Sequence, residues 1–250
     1  MNEFRMLGTL EIFDGHNWKA VEAPKIRTVL AVLLTANGRV VSLARLIDEL
    51  WYNGPQQKRD QRNLVQQYVM KLRRRLGDRN HSVLVTKAPG YCLNFEPAQL
   101  DARRFEELHA EGQELFAAGV YERAFNVLGD ALDLWRGAPL EGVPASPTVL
   151  AEAERLEEAR LAAAEMRIDA SHHNGGYAAT LAELRTLRDA NPLREGLWMK
   201  EMIALRECGR RADALEVYQR ARRTLREELG LEPSVDLRDL QQRILVGFHG

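Results

Sequence analysis

The sequence predicts a mainly helical protein with a small β component, built in two parts. Three helices closed by a β-hairpin come first, and an all-helical repeat array follows. Strand-like alternation is confined to the first 97 residues, and from about Leu100 only helical periodicity remains. Within that second stretch a glycine-led pattern recurs three times, its second and third copies 34 residues apart.

Residues 4–21 alternate apolar and polar, with Phe4, Met6, Leu10, Ile12, Trp18 and Ala20 arranged around an Asp14-Gly15 turn. They read as two or three short antiparallel strands. Pro24 sits in the first-turn position that proline favours and opens a helix whose apolar set is Ile26, Val29, Leu30, Leu33 and Leu34. Asn37-Gly38 stops it. Ser42 caps a second helix carrying Leu43, Leu46, Ile47 and Leu50-Trp51, ended by Asn53-Gly54-Pro55. A third helix runs from about Arg59 to Leu76 and closes at Gly77. Val83–Val85 and Cys92–Phe95 flank Pro89-Gly90 as the arms of a hairpin. This is the element order of a winged helix-turn-helix. The expected domains are therefore residues 1–97, the winged helix, and 98–250, the helical repeats.

The repeat reads Gly, four residues, a small residue, an apolar one, two residues, then Leu or Tyr. Its copies are Gly119…Ala124-Phe125…Leu128, Gly175…Thr180-Leu181…Leu184 and Gly209…Ala214-Leu215…Tyr218. The 34-residue spacing is that of tetratricopeptide helical hairpins. Each glycine is expected to end the first helix of a pair, and each small residue to let two helices approach closely. A loop from Arg136-Gly137-Ala138-Pro139 to Pro147 separates the first copy from the others.

Charge sharpens the division. The 250 residues carry a net charge of −1, but residues 1–97 hold 15 Lys and Arg against 9 Asp and Glu. The remaining 20 basic and 27 acidic residues make the second part acidic. Residues 58–87 alone contain nine basic residues against Asp60 and Asp78, an electrostatic footprint for phosphates.

At 100° per residue, Val65, Val69, Leu72 and Leu76 fall on one stripe of the third helix and face the core. The opposite face carries Asn63, Gln67, Met70, Lys71 and Arg74, with Arg59 and Gln66 at its edges. Asn and Gln can pair bidentately with adenine, and Lys or Arg with guanine. Arg73, Arg75 and Arg79, further round or nearer the helix end, suit phosphates. The plainer alternative, a solvated charge-rich helix, leaves the following hairpin unexplained. In that hairpin Thr86 and Lys87 face outward and Tyr91 can lie on sugar or phosphate, unless the hairpin serves only to pack on the helices. Lys25 and Arg27, in the first turn of the first helix, could grip a phosphate with the helix N-terminus or simply face solvent.

Catalysis and cofactors find no support. The six histidines show no metal spacing, no GxxxxGK[ST] phosphate loop occurs, and clustered carboxylates such as Glu152, Glu154, Glu157 and Glu158 are ordinary on exposed helix faces. No catalytic residue, metal or cofactor is expected. Two cysteines far apart, no apolar run near ~18 residues and no signal peptide place the chain by default in the cytoplasm, without a membrane partner.

The chain resembles the Streptomyces antibiotic regulatory proteins, in which an OmpR-type winged helix joins a bacterial transcriptional activator domain. In the first part the resemblance rests on Gln66-Gln67-Tyr68-Val69…Leu72-Arg73-Arg74…Leu76-Gly77 and Thr86…Pro89-Gly90-Tyr91. In the second it rests on Leu134-Trp135-Arg136-Gly137, Asn191-Pro192-Leu193-Arg194-Glu195, Gly209-Arg210-Arg211…Ala214-Leu215…Tyr218 and Glu228-Leu229-Gly230-Leu231-Glu232-Pro233-Ser234. It implies an activator of an antibiotic or other secondary-metabolite gene cluster. Two protomers would bind promoter direct repeats near the −35 element side by side and recruit RNA polymerase through its sigma and alpha subunits. Two positions depart from the family pattern: Leu64 stands where Thr is usual, and Cys92 where a basic residue is frequent. No receiver domain is expected, so control would come from abundance or an unknown ligand. A repressor of the same fold, and a helical-repeat adaptor that binds proteins, are the competing functional readings.

Overall fold

The computed structural model describes residues 3–52, 54 and 58–246, the side chains of Lys58 and Arg59 excepted. Two compact units divide it. One holds the residues up to 111 together with 129–160; the other holds 112–128 and the residues from 161 on. The expected boundary after residue 97 marks a change of sequence pattern, whereas compactness assigns residues 98–111 and 129–160 to the N-terminal unit.

That unit begins with an antiparallel meander of β1 (Glu3–Arg5), β2 (Glu11–Phe13) and β3 (Trp18–Ala20). Phe4 pairs with Ile12, and strand alternation buries both. Asp14 closes the following turn by accepting from the N–H groups of His16 and Asn17, each at 2.9 Å. α1 (Pro24–Thr35) buries Ile26 and every residue from Thr28 to Leu34. It stops where Asn37 and Gly38 take positive φ. A two-residue strand, β4 (Val41–Ser42), precedes α2 (Leu43–Leu50), and the Ser42 hydroxyl accepts from the Arg45 N–H at 3.1 Å as its N-cap. α2 ends at Leu50; of the expected stop signal, Asn53 and Pro55 lie outside the described residues.

α3 (Lys58–Arg75) is followed by the hairpin of β5 (Leu84–Lys87) and β6 (Gly90–Leu93). The hairpin arms reach closer to the tip than the sequence suggests, because β6 lies between β4 and β5 and is held from both sides. Gly90 is required there: a Cβ would sit 1.9 Å from the Val41 carbonyl oxygen.

Residues behind the wing complete this unit. α4 (Asp101–Ala117) opens with Asp101, whose carboxylate accepts from the Met6 and Leu7 N–H groups at 2.8 and 3.1 Å and from Arg136 at 2.9 Å. Burial pushes the Asp101 carboxyl up, against the pull of those donors. The loop after α5 (Tyr121–Leu132) donates three backbone N–H groups to the same stretch: Arg136 to Leu7 O, Leu140 to Met6 O and Glu141 to Gly8 O. At the start of α6 (Pro147–His173), the Thr148 N–H and hydroxyl both donate to buried Glu49 on α2. Phe105 and Trp135 meet edge to face at 5.2 Å.

The second unit stacks α7 (Tyr177–Ala190), α8 (Glu195–Glu207), α9 (Arg211–Leu229) and α10 (Val235–Val246). All three repeat glycines have φ near +75° and follow α4, α6 and α8, so each ends the first helix of a hairpin. The small positions Ala124, Thr180 and Ala214 are buried, as are Leu128, Leu184 and Tyr218. α8, α9 and α10 share a core of Trp198, Met202, Leu205, Val217, Tyr218, Leu237 and Leu240. Glu201 on α8 is fully buried and pairs with Arg188 and, at 3.2 Å, with Arg185, both on α7. Among the described residues no helix is long and apolar enough to cross a membrane.

Candidate nucleic-acid interface

α3 separates two chemistries because its apolar residues recur at helical spacing. Val65, Val69, Leu72 and Leu76 are buried. The other side presents Asn63, Gln66, Gln67, Lys71 and Arg74, all exposed, with Met70 among them at 52% exposure. Five hydrogen-bonding side chains on one surface of a regular helix form a set that can meet base edges in a major groove. Beside the C-terminal end of α3 a hollow of about 440 Å³ is lined by Met70, Arg73, Arg74 and Arg79, with Asp78 and His81.

The wing stands next to that end. Thr86 and Lys87 are exposed on β5, so Lys87 reaches solvent at the hairpin tip. The turn between α3 and β5 is built by Asp78, which accepts from the N–H groups of Ser82, Val83 and Leu84 at 2.8, 3.2 and 2.8 Å. Burial would raise the Asp78 carboxyl, but these three donors and the nearby Arg73 guanidinium hold it below its ordinary value.

Several candidates occupy other positions than expected. Tyr91 is only 8% exposed: it pairs with Val41 on β4 and Thr86 on β5, in a strand whose four residues are all buried. The Tyr91 side chain is therefore packed into the unit and is not presented at the surface with Thr86 and Lys87. Lys25 donates its ammonium to the Leu50 carbonyl at the end of α2 and lies 5.4 Å from the Trp51 ring. Arg27 is half-buried near Gly142, its Nε without a hydrogen-bond partner. Arg75 donates to Ala20 O at 3.1 Å and faces Glu22 at 4.0 Å, which turns it toward the meander. Arg73 donates to Leu84 O and Thr86 Oγ1. The backbone of Arg59 lies in the first turn of α3, and its side chain lies outside the described residues. The structure therefore gathers Asn63, Gln66, Gln67, Lys71 and Arg74 on one helix face, with Thr86 and Lys87 on the wing. Asp78 was missed as the wing's anchor; the signal was an Asx residue directly after the closing Gly77, ready to accept backbone N–H groups. Cys92, where a basic residue is frequent, is a core position, its Sγ donating to Gly38 O at 2.9 Å.

Two family models match: "Transcriptional regulatory protein, C terminal" over residues 22–93 and "Bacterial transcriptional activator domain" over residues 100–245. A winged helix followed by such a domain defines a transcription regulator with a DNA-binding head. Regulatory protein DnrI of Streptomyces peucetius is 38% identical across 97% of this chain and 92% of its own length. Transcriptional regulator RedD of Streptomyces coelicolor is 36% identical, with 97% and 70% covered. Regulatory protein AfsR of Streptomyces griseus is 36% identical too, but the chain spans only 24% of it. The chain belongs to the Streptomyces antibiotic regulatory protein family of transcriptional activators. Its fold is also that of EmbR of Mycobacterium tuberculosis, solved in complex with a low-affinity phosphopeptide. That match has a TM-score of 0.92 and 32% identity over 100% of this chain and 66% of the other.

Proposed function

We propose that this activator binds direct repeats near the −35 element of promoters in a secondary-metabolite gene cluster. Two protomers sit side by side, and RNA polymerase is recruited through its sigma and alpha subunits. The observation that carries the reading is the exposed face of Asn63, Gln66, Gln67, Lys71 and Arg74 beside an exposed Lys87 wing tip. In this arrangement the α3 face enters the major groove and reads base edges, while Lys87 and Thr86 touch the neighbouring backbone. One winged helix reads few base pairs, and a second copy on an adjacent repeat raises the effective concentration of the first. The site of action is the cytoplasm, on the nucleoid.

Footprinting of the purified chain over upstream regions of its own genomic neighbourhood, at two salt concentrations, tests this. Two phased protected repeats that disappear at high salt support tandem binding. Complete lack of protection by a folded protein refutes it in favour of a protein-binding adaptor. Protection followed by lowered transcription in vitro refutes activation and leaves a repressor.

A further inference from the structure

Arg73 lies in the last turn of α3 and carries the charge of a phosphate ligand, yet its hydrogen bonds lead elsewhere. Nε and Nη2 donate to Leu84 O at 3.0 and 2.8 Å, and Nη2 also donates to Thr86 Oγ1 at 2.9 Å. Leu84 and Thr86 are alternate residues of β5, the first arm of the wing. Asp78 holds the same edge of the strand, taking the N–H of Leu84 at 2.8 Å together with those of Val83 and Ser82. Leu84 is thus fixed through both of its peptide groups, its carbonyl by a base and its N–H by an acid. A planar guanidinium that bridges two acceptors, and a carboxylate 6% exposed with three donors, define an angle as well as a distance. The neighbouring Arg74 is exposed instead and free of this geometry.

We infer that Arg73 and Asp78 are positioning residues that set the wing on the recognition helix, so that the backbone contact made by Lys87 depends on them. The inference rests on the winged-helix DNA reading above. Arg73 neutralises no phosphate of its own.

The test uses the full chain, duplex DNA carrying the footprinted site, and fluorescence anisotropy at several salt concentrations. Arg73→Ala and Lys87→Ala each weaken binding several-fold, but the double variant is no weaker than Arg73→Ala, because the Lys87 contact has already been lost. Lys87→Ala lowers the salt slope by about one in the wild-type background and leaves it unchanged in the Arg73→Ala background. Arg73→Lys keeps the charge but cannot bridge both acceptors, so it behaves like Arg73→Ala. Asp78→Asn removes a negative charge near DNA, which by Coulomb attraction alone would tighten binding; the inference requires weaker binding and a silent Lys87→Ala. Circular dichroism confirms that each variant is folded, and if Arg73→Ala does not fold, the lysine variant carries the comparison. Multiplying losses at Arg73 and Lys87 together with rescue by lysine make Arg73 a phosphate ligand and overturn the inference, as does a silent Lys87→Ala in the wild-type background. A wild-type chain without salt-dependent DNA binding overturns the DNA reading itself, a separate result.

Discussion

Replacing Asp101 with alanine should unfold the N-terminal unit well before its wild-type temperature. The carboxylate accepts from two backbone N–H groups, Met6 and Leu7, and pairs with Arg136 at 2.9 Å. Hydrogen bonds to a charged group contribute roughly 1.5–3 kcal/mol each, and their sum is reduced here because burial disfavours the carboxylate. The larger part of the loss comes from what remains behind: the Met6 and Leu7 N–H groups lose their acceptor, and Arg136 keeps only Glu11. A net cost of about 3 kcal/mol follows, or roughly 6–12 °C in Tm for a chain of this size. Three of the four tryptophans, Trp18, Trp51 and Trp135, lie in this unit, so intrinsic fluorescence reports its unfolding. Arg136→Ala, which removes only the ion pairs to Asp101 and Glu11, should cost less than half as much. A change below about 1 kcal/mol for Asp101→Ala would refute the assignment of Asp101 as the clasp of this unit.

Arg74→Ala should weaken operator binding by about 1–3 kcal/mol and relax preference at one base position, whereas Lys87→Ala should weaken all sequences alike; gel shifts with operator variants at fixed salt separate the two. Glu201→Ala leaves Arg188, only 4% exposed, with the exposed Asp189 as its remaining acidic partner, and should destabilise the second unit by about 3 kcal/mol in chemical denaturation followed by circular dichroism. Asp78 sits below the ordinary 3.8 in the folded chain, so its stabilisation is complete above that value and is lost as pH falls through the lowered one. Denaturation curves should therefore show Asp78→Asn weaker by about 1–3 kcal/mol at pH 7, with the gap closing below pH 3.8. Gly90→Ala drives a methyl into the Val41 carbonyl and should cost about 2–3 kcal/mol, with loss of the β4 pairing visible as faster amide exchange at Val41.

Periodicity made α1 to α3 and the repeat hairpins readable, because their apolar residues recur at 3.6-residue spacing and their ends carry Pro, Ser, Asn or Gly. Gly119, Gly175 and Gly209 marked three helix ends for the same local reason: each takes a positive φ. β4 escaped notice, since two residues give no alternation to detect, and β6 consequently looked like half of a free hairpin. Tyr91 lies between two partner strands and is buried, which the sequence of the hairpin alone does not indicate. Lys25, Arg73 and Arg75 show the other blind spot. Sequence spacing assigns a charge to a helix face, but a flexible side chain follows the nearest acceptor, and Leu50 O, Leu84 O and Ala20 O come from elements 11 to 55 residues away. Asn63, Gln67, Lys71 and Arg74 are exposed on one helix, where spacing alone predicts the face.

The clasp at Met6 to Gly8 bears on how such regulators could be re-targeted. Those three residues receive backbone N–H groups from Arg136, Leu140 and Glu141, far beyond the wing. A graft that exchanged the whole head between relatives would seat a foreign meander against a native loop, and both sides of that joint would need to be carried over. Exchanging only positions 63, 66, 67, 71 and 74 touches none of these joints. Under the docking proposed above, the address lies on one helical face, whose exchange leaves the frame that carries it untouched.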